Sequence, residues 1–175
     1  MKDMGEAEVI LGIRIERVKG DLALTQSHYI EKVLKKYKYL ECRPMSTPFE
    51  SSNHLFPNKG APVSQLEYSR VIESLMYAMT STRSDLAFAV GKLSRYTSNP
   101  SEDHWKGVHR VLRYLKGTMN LGLVYSEFPS VIEGYSDASW ISNEEDHSST
   151  SGWVFLLGEV RSRGHPRNKL ASVVQ

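Results

Sequence analysis

The sequence predicts an α+β chain: a β-hairpin, then a mainly helical region, then a short antiparallel sheet. Three patterns carry that expectation. Residues 9–16 alternate, apolar stripes recur at i, i+3, i+4 between residues 27 and 116, and three strand-like runs follow from residue 121.

The hairpin rests on Val9, Leu11, Ile13 and Ile15, which share one face of a half-buried strand, with Arg14 and Glu16 on the other. Lys19-Gly20-Asp21 is a turn signal, and Leu22 and Leu24 continue as the second strand. Ser27 is the expected N-cap of a helix through Tyr39, whose stripe is Ile30, Val33, Leu34 and Tyr37. Pro44 to Pro62, rich in proline and serine, reads as a linker or long loop. Two helices are expected from Ser64 to Tyr96. The first carries Val71, Ile72, Leu75, Met76 and Met79, with both methionines as core filler; the second carries Leu86, Ala89, Val90 and Leu93, with Ser84-Asp85 as a cap between them. Ser101 is the expected cap of a helix through Lys116, with His104 at the third helical position, and Gly117 ends it. Leu121–Tyr125, Val131–Trp140 and Gly152–Leu157 are the three strands.

Composition bounds the function. At 175 residues and 40% hydrophobic content, the chain can build a core for one ordinary domain or two small ones. A net charge of +2 is too small to imply a nucleic-acid partner, so any basic footprint must be local. A single cysteine, Cys42, excludes an intramolecular disulfide and fits a reducing compartment. No apolar run approaches the ~20 residues that span a bilayer, so no membrane partner is expected. The first residues carry neither a signal nor a transit pattern, which points to an intracellular protein of unknown compartment. They lead abruptly into a strand, as if cut from something longer. No glycine loop suited to phosphate is present, and His104 with His109 stand at i, i+5 rather than at metal-ligand spacing.

Two local features point toward chemistry. Lys106, His109, Arg110, Arg113 and Lys116 cluster on one side of the helix from Glu102, opposite Trp105, Val108, Val111, Leu112 and Leu115. A second basic face holds Lys32, Lys35, Lys36 and Lys38. Each is read either as a solvated face or as one that meets phosphates. The other feature is Asp137, a carboxylate after the strand-like run Val131-Ile132-Glu133, as metal-dependent nuclease sites begin. Such sites need several carboxylates converging on two metal ions roughly 3.5–4 Å apart.

Longer strings carry a resemblance. Tyr68-Ser69-Arg70-Val71-Ile72-Glu73-Ser74-Leu75-Met76-Tyr77-Ala78-Met79 with Thr82-Arg83-Ser84-Asp85-Leu86-Ala87 resembles the Pol polyprotein of copia-type LTR retrotransposons. His104-Trp105-Lys106-Gly107-Val108, Leu112-Arg113-Tyr114-Leu115-Lys116-Gly117-Thr118, Gly134-Tyr135-Ser136-Asp137-Ala138 and Ser149-Thr150-Ser151-Gly152-Trp153 extend it, as do residues 1–6 and 11–13, over roughly residues 1–160.

The resemblance implies a map. Residues 1–26 correspond to the end of the reverse transcriptase palm, with a hairpin near the primer terminus. Residues 27–118 correspond to thumb-like and connecting helices around a template–primer duplex, with residues 44–62 as linker. Residues 119–160 correspond to a truncated ribonuclease H-like sheet, whose first catalytic aspartate matches Asp137. The family uses Mg²⁺. By the same map, the polymerase Tyr-x-Asp-Asp turn and the later ribonuclease H carboxylates are missing, so Asp137 is an orphaned, incomplete metal ligand and this fragment is expected to bind no metal. Glu73 stands where the family usually has glycine near nucleic acid, and Ser84 where it usually has proline.

Residues 161–175 resemble nothing in the family and predict a disordered tail. One back-translation of that stretch, read two bases later, gives Val-Ser-Trp-Ala-Ser-Lys-Lys-Gln-Thr-Cys-Ile, which continues the resemblance and implies a frameshift near residue 160. The expected function is thus a catalytically inactive Pol fragment. The alternatives are a retained nucleic-acid-binding module, with Lys32, Lys35, Lys36, Lys106, His109, Arg110, Arg113 and Lys116 as its contacts, or a subunit that completes a site in trans with other Pol fragments.

Overall fold

A computed structural model describes residues 5–18, 21–50, 54–61, 63–125, 132–139, 150–157, 160–162 and 172–174. Strands β1 (Val9–Ile10), β2 (Ile13–Val18) and β3 (Asp21–Thr25) precede helices α1 (Ser27–Lys36), α2 (Gln65–Ser81), α3 (Ala87–Ser94) and α4 (Glu102–Gly117). Strands β4 (Gly122–Tyr125), β5 (Ile132–Ser139), β6 (Thr150–Leu157), β7 (Val160–Ser162) and β8 (Ser172–Val174) follow. The sheet orders are β1-β2-β3-β4-β7 and β5-β6-β8, all antiparallel.

The expected single strand over 9–16 is broken. Leu11 and Gly12 both take positive φ, 49° and 77°, and turn the chain so that Ile10 pairs with Ile13. Two positive-φ residues between antiparallel strands are the signature of a type I′ hairpin, whose twist suits the flanking strands. Val9 and Leu11 therefore lie exposed rather than on a buried face. The Lys19-Gly20 turn lies outside the described residues.

The helices bury the stripes that the periodicity marks. Ile30, Val33 and Leu34 of α1 meet Tyr68, Val71, Ile72 and Leu75 of α2, Leu93 of α3, and Val108, Val111, Leu112 and Leu115 of α4 in one cluster. Gly107 permits the α3–α4 approach, because a Cβ there would stand 2.7 Å from Leu93 Cδ2. Met79 packs at the rim of the cluster, but Met76 is 44% exposed and is not core filler.

Helix ends depart from expectation in three places. Gln26, not Ser27, caps α1, and no side-chain bond is made there. At the other end, Lys38 (φ 64°) donates to Lys35 O and Tyr39 to Leu34 O, the paired bonds of a Schellman stop, so the helix closes before Tyr39. Asp85 does not cap α3; it is taken up by Arg83. Ser101 does cap α4, in a reciprocal box with His104. Gly117 is that helix's last residue, and Thr118 closes it.

Two segments have other roles than their composition suggests. The proline-rich stretch expected to be a linker is laid against the helices: Leu55 is 5% exposed, Tyr96 Oη donates to Leu55 O at 2.7 Å, and Val63 N donates to Pro100 O at 3.0 Å. Residues 51–53 and 62 within it are outside the described residues. Strand β4, expected to belong with β5 and β6, instead pairs with β3, Leu24 opposite Leu123 and Thr25 opposite Gly122. Gly122 makes this possible, since a Cβ would fall 2.5 Å from Leu24 O. The 119 boundary thus cuts through the first sheet. Past residue 160, where no order is expected, β7 lengthens that sheet and β8 pairs with β6. Val160, Val173 and Val174 supply β-branched residues at open edges that accept a further strand.

Candidate nucleic-acid interface

The α4 face differs from a bare row of cations. Arg110 is turned onto the 43–50 segment: Nη1 meets Glu50 Oε2 at 2.9 Å, Nη2 donates to Thr47 Oγ1 at 2.9 Å and Nε to Thr47 O at 3.3 Å. Arg113 Nε donates to Arg43 O at 2.8 Å, and Met45 N returns a bond to Arg113 O at 3.2 Å. Lys106 Nζ pairs with Asp103 at 2.7 Å, an exposed i, i+3 contact. His109 lies between the rings of Tyr39 and Trp105, with centroids 5.6 and 5.4 Å away. Burial there holds its pKa below the usual value, so at neutral pH it is not a cation. Of the five residues expected on this face, Lys116 makes none of the described side-chain bonds. The helix is therefore oriented by its own basic residues, through acceptors the chain supplies.

The α1 face is different. Lys32, Lys35 and Lys36 are exposed. Among the described residues, neither Lys32 nor Lys35 has an ion pair or side-chain hydrogen bond, and Lys36 Nζ rests 5.2 Å from the Tyr37 ring centroid.

Asp137 lies within β5, two residues from its end, with Gly152 of β6 as register partner. The side chains around it lie outside the described residues. Among the described residues no group of three His, Cys, Asp or Glu side chains converges as a metal site would require.

Sequence reasoning missed a buried polar knot behind α4. Arg83, 1% exposed, forms a two-pronged pair with Asp85, Nε–Oδ1 2.9 Å and Nη2–Oδ2 2.7 Å. It also donates to Thr118 O at 3.0 Å and Thr118 Oγ1 at 2.7 Å. Tyr114 Oη donates to Asp85 Oδ2 at 2.8 Å. Burial, and then the Asp85 charge, push the Tyr114 pKa up to about 12. Every polar group of the knot is satisfied, so it fastens the turn before α3 to the end of α4. An arginine read alone suggests surface, and nothing in the polar stretch Thr80-Ser81-Thr82-Arg83-Ser84-Asp85 marks it as buried.

Glu73 is exposed on α2, on the same outer face as Arg70 and Tyr77. Tyr77 Oη donates to Leu11 O, which ties the β1–β2 turn to that helix.

No family model and no solved structure matches the chain. It is 38% identical over 168 residues to the retrovirus-related Pol polyprotein from transposon TNT 1-94 of Nicotiana tabacum, covering 90% of this chain and 12% of that protein. It is 35% identical over 160 residues to the Pol polyprotein from transposon RE2 of Arabidopsis thaliana, covering 90% of this chain and 11% of that one. A shorter likeness, 44% over 91 residues, is to secreted RxLR effector protein 161 of Plasmopara viticola and covers 51% of this chain and 64% of the relative. The chain thus spans about an eighth or less of the Pol polyproteins it matches.

Proposed function

Because the chain belongs to the retrovirus-related Pol polyproteins of copia-type transposons, we propose that it is the stretch running from the end of reverse transcriptase into the first strands of ribonuclease H. On this reading it completes neither catalytic site alone. The β1–β3 sheet is the close of the palm, α1–α4 are the thumb-like and connecting helices, and β5 and β6 open the ribonuclease H sheet. The antiparallel β5–β6 pair with Asp137 on its first strand supports that placement.

The observation that supports inactivity is which carboxylate arrangement the sequence lacks, not how many carboxylates it has. The 175 residues contain no Asp-Asp pair for a polymerase turn. Among the described residues no three His, Cys, Asp or Glu side chains group as a metal site would need. A two-metal hydrolytic site clamps both the attacking and the leaving oxygen, and each ion needs several oxygen ligands. Mg²⁺ held by one carboxylate keeps mostly water, with no second ion positioned beside it. On this reading Asp137 alone does not build the family's metal pair, and no hydrolytic step is assigned to the described residues.

Titration with Mn²⁺, followed by the relaxation of water protons, tests this. Parent and Asp137→Asn chains should give the same weak, non-saturating uptake. Two saturable ions per chain, lost in Asp137→Asn, would overturn the reading.

A second function is favoured by the exposed lysines of α1: a nucleic-acid-binding module that holds duplex backbone without acting on it. Phosphate contacts alone suffice for such binding and give it a steep salt dependence.

A further inference from the structure

The segment that crosses α4 between Arg43 and Glu50 is pinned on both sides of Thr47. Before it, Arg113 Nε donates to Arg43 O and Met45 N donates to Arg113 O. After it, the half-buried Phe49 ring meets Phe88 edge-on, with 5.4 Å between centroids. Thr47 itself is exposed and belongs to no helix or strand. Its hydroxyl oxygen already faces a cation. Arg110 Nη2 donates to Thr47 Oγ1 at 2.9 Å and Nε to Thr47 O at 3.3 Å. The same guanidinium spends Nη1 on Glu50 Oε2, at 2.9 Å.

The sequence adds an independent observation. Of seven prolines, only Pro48 follows a serine or threonine. Proline has no N–H to satisfy, and it keeps the residue before it extended. A pocket that accepts an extended hydroxyl residue, and offers the next residue no hydrogen-bond acceptor, therefore selects Thr47 over the other hydroxyls of the chain. That is the recognition chemistry of a proline-directed serine/threonine kinase.

We propose that Thr47 is a phosphorylation site and that Arg110 holds its phosphate. In the transfer, Thr47 Oγ1 attacks the γ-phosphorus of Mg²⁺-bound ATP and the bond to the β–γ bridging oxygen breaks. ADP leaves, and the hydroxyl proton passes to the catalytic base of the kinase. The product carries about −1.5 to −2 charge at pH 7 and three acceptor oxygens. They grow from the atom that Arg110 Nη2 already meets, so a two-pronged guanidinium–phosphate pair forms without moving the helix. Glu50 opposes with the same sign of charge; its side chain is 50% exposed, so it turns into water and yields Nη1 to the phosphate. Lys106 and Arg113 stand about one turn to either side of Arg110 and add positive charge. Phosphorylation thereby tightens the 43–50 segment on α4 and cancels charge on that face.

The test treats the full chain with a proline-directed kinase and Mg²⁺-ATP. Fragment mass spectrometry reads the site, and ³¹P NMR across pH reads the phosphate. Phosphate is expected on Thr47, and Thr47→Ala should take none under the same exposure. The second pKa, about 6 in a free phosphothreonine, should fall below that value in the parent and return to it in Arg110→Gln. The phosphorylated parent should also melt several degrees above the unmodified chain. Should Arg110→Gln not fold, Arg110→Lys, which keeps the charge but not the fork, should show a smaller fall. A chain left unmodified by a kinase that phosphorylates a peptide of residues 43–50 would overturn the site. A Thr47 phosphate that titrates near the free value in the parent, with melting unchanged, would overturn the role of Arg110 and the proposal with it.

Discussion

At the scale of single residues, His104 shows how much one side chain can fix. It is fully buried, and its ring stacks on Tyr96 at 3.9 Å. Nδ1 accepts from Ser101 N at 2.9 Å, and Nε2 lies 3.1 Å from Phe56 O. That pattern requires the neutral tautomer with the proton on Nε2, because a second proton would face the Ser101 donor. Burial lowers its pKa, against smaller opposing effects of the Phe56 carbonyl and Asp103, and burial lowers that of His109 too. A histidine titrates near 6.5 when unfolded. The folded chain therefore binds fewer protons than the unfolded one below that value. The stabilisation is fully present above about pH 6.5 and is lost as pH falls from there toward the folded pKa values. Thermal melts between pH 7.5 and pH 5, with pH as our chosen variable, should show a falling midpoint. His104→Gln, which can keep the capping box, should flatten that dependence. An equally steep fall in the variant would remove His104 as a cause.

At the scale of elements, the pairing of β4 with β3 decides which residues fold together. Gly122 is the contact point, and an added Cβ would meet the Leu24 carbonyl, which is backbone and cannot step aside. Gly122→Ala should cost about 1–3 kcal/mol and should speed amide exchange in β3 as well as in β4. Faster exchange confined to β5 and β6 would show that β4 belongs with them. The same element marks where sequence reading ran out. The helices were legible because a stripe of Ile30, Val33 and Leu34 or of Val108, Val111 and Leu112 is a local signal with its own period. The partner of β4 is a non-local choice that no window of residues around it encodes. The Leu11-Gly12 turn was hidden for another reason: a leucine at positive φ carries no turn signature of its own.

At the scale of the whole molecule, the described residues divide into a helical core with its attached sheet and a second sheet that carries Asp137. The candidate site was legible only in part. The strand around Asp137 was legible because Val131-Ile132-Glu133 is a compact strand signal, and β5 does include that residue. The two basic faces looked alike as sequence, since a lysine or arginine gives no sign of whether the chain itself supplies its acceptor. Only the bonds of Arg110 to Thr47 and Glu50 separate them. The central claim, a Pol segment that folds a helical core but completes no catalytic centre, is tested most directly by incubating the full chain with Mg²⁺ and a primed RNA–DNA hybrid. Cleavage of the RNA strand and extension of the primer are read in one assay. The account predicts neither product above a blank, with Asp137→Asn indistinguishable from the parent. Metal-dependent RNA cleavage that disappears in Asp137→Asn would contradict it.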